Sequence, residues 1–267
     1  MIRLDLTWVT HHPYPKVSHI TFGVLATGLG GEMKRAFTGL VAVLLGASVV
    51  FGIGSYLKVT NQQNPPVVAQ VRGTAQTAQG VLPHAFIALS TYPDDLAGEH
   101  GASGGDHPDW VSYGPSSALR LPAHSLVTMT ITQYDSGGTI NNPYFAKVVG
   151  TVATPGDGTS NNQMLLDGKP VSSIDPTAVG HTFTIHDLSS PSQDNLFVSI
   201  PLSAVADSAI PDSGYTKTPH VVTFSFITGG AGNYVWNCEY PCGDGTYRNF
   251  GDVMSARGYM SGTMTVV

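Results

Sequence analysis

Cys238 and Cys242 are the only two cysteines in the chain, and they fall on one loop in the stretch GNYVWNCEYPCGDGTYRNFGDVMSARGYMSGTMTVV, residues 232–267. The methionines Met254 and Met260 follow them. An alternating run ends at Cys238, a glycine-rich loop comes next, and a second alternating run follows it. Thiolate and thioether sulfur brought to one loop suit copper, whereas magnesium and calcium prefer hard oxygen donors. Copper also takes imidazole, and His181 in GHTFTIHDL (180–188) supplies one. In that segment His181, Phe183 and Ile185 share the core-facing side, while Thr182, Thr184 and His186 fall on the other. Two thiolates would also suit zinc. In the alternative reading the two cysteines close a disulfide, across a C-x-x-x-C separation that is tight for one.

The other histidines fit a metal site less well. His186 has an odd offset from His181 and so sits on the opposite strand face. His220 opens the strand before the cysteine strand, and His124 reads as a structural or surface residue. Glu99, His100, Asp106, His107 and Asp109 lie in a long glycine-containing loop with no fixed ligand spacing, which reads as solvated. Tyr234, Trp236 and Phe183 read as core residues that exclude water. No Ser-His-Asp arrangement, acid–base carboxylate pair or phosphate-cradling loop is recognisable, so no enzymatic activity is expected.

The elements that must position these residues are strands. Gly and Pro number 31 and 18, charged residues make up 11% of the chain, and helical periodicity is lacking after residue 60. HAFIALS (84–90), SALRLPAHSLVTMTITQYD (117–135), GHTFTIHDL, NLFVSIPL (195–202) and HVVTFSFIT (220–228) read as strands between turn signals. In the second of these, Val127, Met129 and Ile131 alternate toward the core. Residues 136–176 carry Ser-Gly-Gly, Asn-Asn-Pro and Pro-Gly-Asp-Gly turns and read as a loop-rich insertion with small strands over one end of the sheets. The implied fold is an all-β sandwich of two sheets in one domain, 81–267. The net charge of −6 argues against a nucleic-acid partner.

Ahead of the domain, Lys34 and Arg35 precede an uncharged run, 36–57, long enough to span a bilayer as a helix. The basic residues favour a cytoplasmic N-terminal side and an extracytoplasmic domain. The run reads as a membrane anchor or as a signal segment, and no small-x-small cleavage site follows it. Residues 1–35 form a cytoplasmic segment, or an over-extended start if Met33 begins the chain. Residues 58–80, rich in Gln, Asn, Thr and Pro, read as a flexible tether.

With these residues in place, the chain resembles the cupredoxins. GHTFTI is similar to the strand bearing that family's first histidine ligand, GNYVWNC to the strand delivering its cysteine, and GYMSGTMTV to the ending whose methionine is the axial ligand. The resemblance covers about residues 117–267 and implies a Greek-key β-sandwich. It makes Met260, not Met254, the axial ligand, and the implied copper ligands are His181, Cys238, Cys242 and Met260. The chain departs from the single-copper pattern in having Cys242 where a second histidine follows the proline. Its C-x-x-x-C loop resembles that of cytochrome oxidase subunit II, yet Thr246 stands where that loop needs histidine. The function implied is one-electron transfer by a membrane-tethered copper protein serving a redox partner or respiratory complex. The alternatives are a copper-less structural or interaction sandwich with a Cys238–Cys242 disulfide, and a copper storage or delivery protein.

Overall fold

The computed structural model describes residues 30–60, 65–93, 111–137, 140–188, 192–211, 216–241 and 259–267. The chain divides into two compact units, residues 1–55 and 56–267.

The first unit contains helix α1, Gly31–Thr60, which runs on into the start of the second. Its segment Arg35–Tyr56 is long and apolar enough to cross a membrane, and none of it is buried within the protein. Phe37, Leu40, Leu44, Val50 and Phe51 all stand exposed. A helix that is apolar on every side is at home in lipid or in a protein core. This one, near the chain start, is consistent with a signal or membrane-anchoring segment.

The second unit is built of strands: β1 (Val67–Val68), β2 (Gln70–Thr77), β3 (Gly80–Tyr92), β4 (Ser112–Gly114), β5 (Ala118–Leu121), β6 (Leu126–Gln133), β7 (Met164–Leu166), β8 (Lys169–Val171), β9 (Val179–Asp187), β10 (Val198–Ser203), β11 (His220–Ile227), β12 (Gly232–Asn237) and β13 (Ser261–Val266). One sheet runs β1-β5-β13-β12-β9-β10, and the other runs β2-β3-β6-β11-β7-β8 with β4 added to β3. Aromatic side chains join the two faces. Phe183 of β9 meets Phe224 of β11 with ring centroids 6.2 Å apart, and Tyr113 of β4 meets Trp236 of β12 at 4.7 Å. The result is mostly β and consistent with a sandwich, with one core between the layers.

The alternation read from the sequence sets this core. Val127, Met129 and Ile131 are fully buried, while of the opposite face Thr130 and Thr132 are only partly so and Leu126 and Thr128 are buried too. Strand β9 departs from clean alternation: Val179 through Ile185 are buried on both faces. In segment 146–152, Val149 bridges to Ser199 on β10 and Val152 to Ser225 on β11. It thus ties an edge of one sheet to the other.

Strands also begin earlier than the composition of 58–80 suggests. Residues 67–68 pair with β5, and 70–77 pair with β3 around a register shift between Val71 and Thr74. The polar residues there lie on exposed positions of an edge strand, while Ala69 and Ala75 are buried. The small strands of the insertion, β7 and β8, form a hairpin that extends the second sheet beyond β11.

Candidate metal centre

His181 lies near the start of β9, Cys238 just past the end of β12, and Met260 just before β13. Strand β12 pairs with both β9 and β13, so adjacent strands deliver all three residues to one end of one sheet. The Cys238 amide donates to the Met260 carbonyl at 2.8 Å, which continues the β12–β13 ladder one step past its last strand pair. All three are essentially without solvent contact, at 1%, 0% and 0% exposure.

The Cys238 side chain is buried. Its Sγ accepts the Thr182 amide at 3.4 Å and donates to the Tyr240 carbonyl at 3.2 Å. The Glu239 amide donates to Thr182 Oγ1 at 2.7 Å, which locks the cysteine loop to the residue after His181. Tyr240 is buried, and its hydroxyl accepts the Ile140 amide and donates to the Ile140 carbonyl. Phe145 packs edge-on against its ring. The 136–176 insertion therefore packs against Tyr240, two residues after Cys238.

The His181 imidazole has two partners. Its Nε2 lies 2.7 Å from Asp135 Oδ2, and the ring also hydrogen-bonds with the Cys238 thiol. Burial on its own would lower its pKa. The hydrogen bonds and negative charge of Asp135 and Cys238 outweigh that and raise it to about 9. Asp135 was not recognised from the sequence. It follows β6 directly and precedes Ser-Gly-Gly, so it looked like the end of a strand. Its partner is 46 residues away, and no local pattern announces such a contact.

Two glycines make that contact possible. Gly137 has φ +78, in the left-handed region, and a Cβ there would collide with the backbone of Gly180. A Cβ on Gly180 would come within 2.8 Å of the Ser136 carbonyl oxygen. The chain after Asp135 thus runs directly against the residue before His181. The Asp135 carbonyl accepts from Gln133 Nε2 at 2.9 Å and from the Val205 amide at 3.0 Å, which fixes the main chain at this point.

The sequence-expected residues divide accordingly. His181 and Cys238 are brought together, and Met260 is buried in the same core. Cys242 and Met254 lie outside the described residues, as do Glu99, His100, Asp106, His107 and Asp109. Among the described residues no group of three or more His, Cys, Asp or Glu side chains is placed to hold a metal ion. His186 is on the outward face, 2.9 Å from Glu239, and His220 pairs with Asp167 at 2.8 Å. Neither turns toward Cys238. Trp236 and Phe183 pack at a tilt in the core with centroids 4.9 Å apart, and the indole donates to the Ser117 carbonyl at 2.9 Å.

The fold and this site define a mostly-β, sheet-rich domain behind an apolar helix, with a buried imidazole–thiol pair at one end. No known family model matches the chain, and no curated protein does. Among solved structures it is similar to auracyanin B at 11% identity, covering 74% of this chain and 98% of that one, with a TM-score of 0.31. It is also similar to the copper protein rusticyanin, at 12% identity with 80% and 94% of the two chains covered and a TM-score of 0.28. Rusticyanin from Thiobacillus ferrooxidans, in a further structure, gives 13% identity, 80% and 93% coverage and a TM-score of 0.26. These likenesses are weak, so the functional reading stands on the geometry of the site.

Proposed function

We propose that this is a membrane-tethered, extracytoplasmic copper-holding protein with a cupredoxin-like Greek-key domain, which stores or passes on the ion. The observation that supports this is the pairing of His181 with Cys238 while its Nε2 is committed to Asp135. A metal would take the place of the ring's hydrogen bond with the Cys238 thiol, in the same dry core that buries the Met260 thioether. One imidazole and two sulfurs form a soft donor set that fits copper. Cys242 would complete it as a fourth ligand. A bound copper ion would supply one-electron chemistry; the chain's own residues supply a water-excluded pocket, a fixed ring orientation and the Thr182 amide on the sulfur.

Holding copper is favoured over carrying electrons to a redox partner or respiratory complex. The histidines nearest in the strand order, His186 and His220, are engaged elsewhere, so no second imidazole among the described residues helps retain the ion through a redox cycle. A copper-free sandwich has two observations in its favour: Asp135, His181 and Cys238 all have protein partners, and no group of three or more His, Cys, Asp or Glu side chains among the described residues is placed to hold a metal ion.

Metal content, absorption and voltammetry of the reduced, copper-loaded protein separate the three. Stoichiometric uptake that is lost in His181→Ala, with release to a competing chelator and no reversible wave, supports copper holding. A reversible one-electron wave with an intense visible band moves the assignment to electron transfer. Absence of uptake leaves the copper-free sandwich.

A further inference from the structure

We infer that His84 is a pH-sensitive latch for the 150–163 turn of the insertion, holding it on the second sheet while the imidazole is neutral and loosening it once protonated. The inference is independent of any metal. Four side chains from four segments form one continuous hydrogen-bonded chain on the face of that sheet turned away from the core. Thr154 Oγ1 of the turn donates to Ser225 Oγ of β11 at 2.7 Å. Ser225 Oγ lies 2.7 Å from Thr128 Oγ1 of β6, which lies 2.8 Å from His84 Nε2 of β3. The main chain joins at the same place, because the Val152 amide donates to the Ser225 carbonyl at 2.8 Å.

The protons in this chain can be counted, since each hydroxyl has one to give. Ser225 receives the Thr154 proton, so its own goes to Thr128, its other side-chain partner among the described residues. Thr128 then gives its proton to His84 Nε2. That nitrogen is the bare one, and the ring is the Nδ1–H tautomer. Protonation puts a hydrogen on Nε2, against a hydroxyl hydrogen already aimed at it. Thr128 is 7% exposed and Ser225 fully buried, and the described residues offer the displaced hydrogen no other acceptor. A buried donor is left unpaired unless the Thr154 end of the chain gives way.

Among the described residues, the elements around His84 supply no counter-charge to its cation. From β2 comes Arg72, itself cationic, 5.7 Å from the Phe86 ring on which His84 packs. Strand β6 has no ionisable residue, and His124 ahead of it lies beside Gly230. His220 is at the far end of β11 and pairs with Asp167. Asp157 of the turn accepts from the Thr159 amide and hydroxyl. Burial lowers the His84 pKa from 6.5. Docking of the turn is therefore complete above that ordinary value and weakens as pH falls below it.

The test uses the full chain in detergent with a chelator present, its histidines and valines labelled with nitrogen-15, and His84→Gln assigns the ring signals. Above the titration the His84 ring should show the Nδ1–H tautomer; the Nε2–H tautomer overturns the inference. Protection of the Val152 amide from exchange, corrected for the intrinsic pH dependence, should fall about fivefold across the His84 titration, the worth of one hydrogen bond. The Val149 amide, bound to the Ser199 carbonyl on the other sheet, should hold steady. Unchanged protection at Val152 overturns the latch, and so does an equal fall at both amides, which is general loosening. In Thr154→Val the fall should vanish while the tautomer stays, and its persistence overturns the relay. Should that variant not fold, the wild-type titration decides.

Discussion

His181 couples the candidate site to stability through a single proton. Its pKa of about 9 in the folded domain lies above the ordinary 6.5. The folded state therefore holds a proton that the unfolded chain releases between those values. The contribution is fully present below about pH 6.5 and is lost as pH rises toward 9, amounting to at most about 3 kcal/mol. Urea unfolding of the metal-free protein from pH 6 to 10 should show this decline, and His181→Gln should flatten it; matching profiles would refute the coupling. Trp236 makes a second, independent prediction. Its Nε1 donates to the Ser117 carbonyl at 2.9 Å, and the same carbonyl takes the Thr263 amide at 3.2 Å. Trp236→Phe thus removes one of two bonds and part of a buried ring. A loss of about 2 kcal/mol is expected in the urea midpoint with an unchanged slope. Wild-type stability in that variant would mean the indole bond contributes nothing.

At the level of elements, close backbone contact does what side-chain patterning does elsewhere. Gly180→Ala would push its methyl to 2.8 Å from the Ser136 oxygen and 3.1 Å from Ala204 Cα, both main chain. We expect a cost of about 1–3 kcal/mol as the segment after Asp135 retreats. The His181 ring titration, followed by NMR, should then fall from about 9 toward the ordinary value as Asp135 is drawn off. A folded variant with an unmoved titration would show that the glycine does not hold the pair together. This contact also marks what the sequence made legible. Strand β6 was readable because Val127, Met129 and Ile131 alternate toward the core, and β12 and β13 because they flank the cysteine loop. His181 and Cys238 could be paired because GHTFTI puts one near the start of β9 and GNYVWNC puts the other just past the end of β12. Asp135 was not readable, since its position depends on two glycines of different segments meeting. Strand β2 was missed for another reason: an edge strand exposes most of its residues, so QVRGTAQT carries no apolar stripe to distinguish it from a linker.

For the whole molecule, the question is where the folded domain starts and what the apolar helix ahead of it does. Composition alone would place the domain boundary at residue 81, leaving 58–80 as linker. The pairing of β1 with β5 and of β2 with β3 instead extends the sheets back to Val67. A chain starting at residue 65 retains both edges, whereas one starting at 81 uncovers the β3 edge from Val81 to Phe86. Unpaired edges of that kind template association. The longer version is therefore expected to be soluble and monomeric by gel filtration. The shorter should aggregate or lose at least about 2 kcal/mol, because burial of Ala69 and Ala75 and the ladder bonds go with it. Equal solubility and stability of the two would return 65–80 to the role of a linker. The full chain adds α1, whose segment Arg35–Tyr56 at ~1.5 Å per residue matches the ~30 Å hydrocarbon layer. Expressed in cells, it should stay in the membrane pellet through alkaline carbonate at full mass if the helix is an anchor. Recovery as a soluble species shortened by the helix would identify it as a cleaved signal. A full-length soluble species would rule out both, since the exposed Phe37, Leu40, Leu44 and Phe51 would then need a protein partner to cover them.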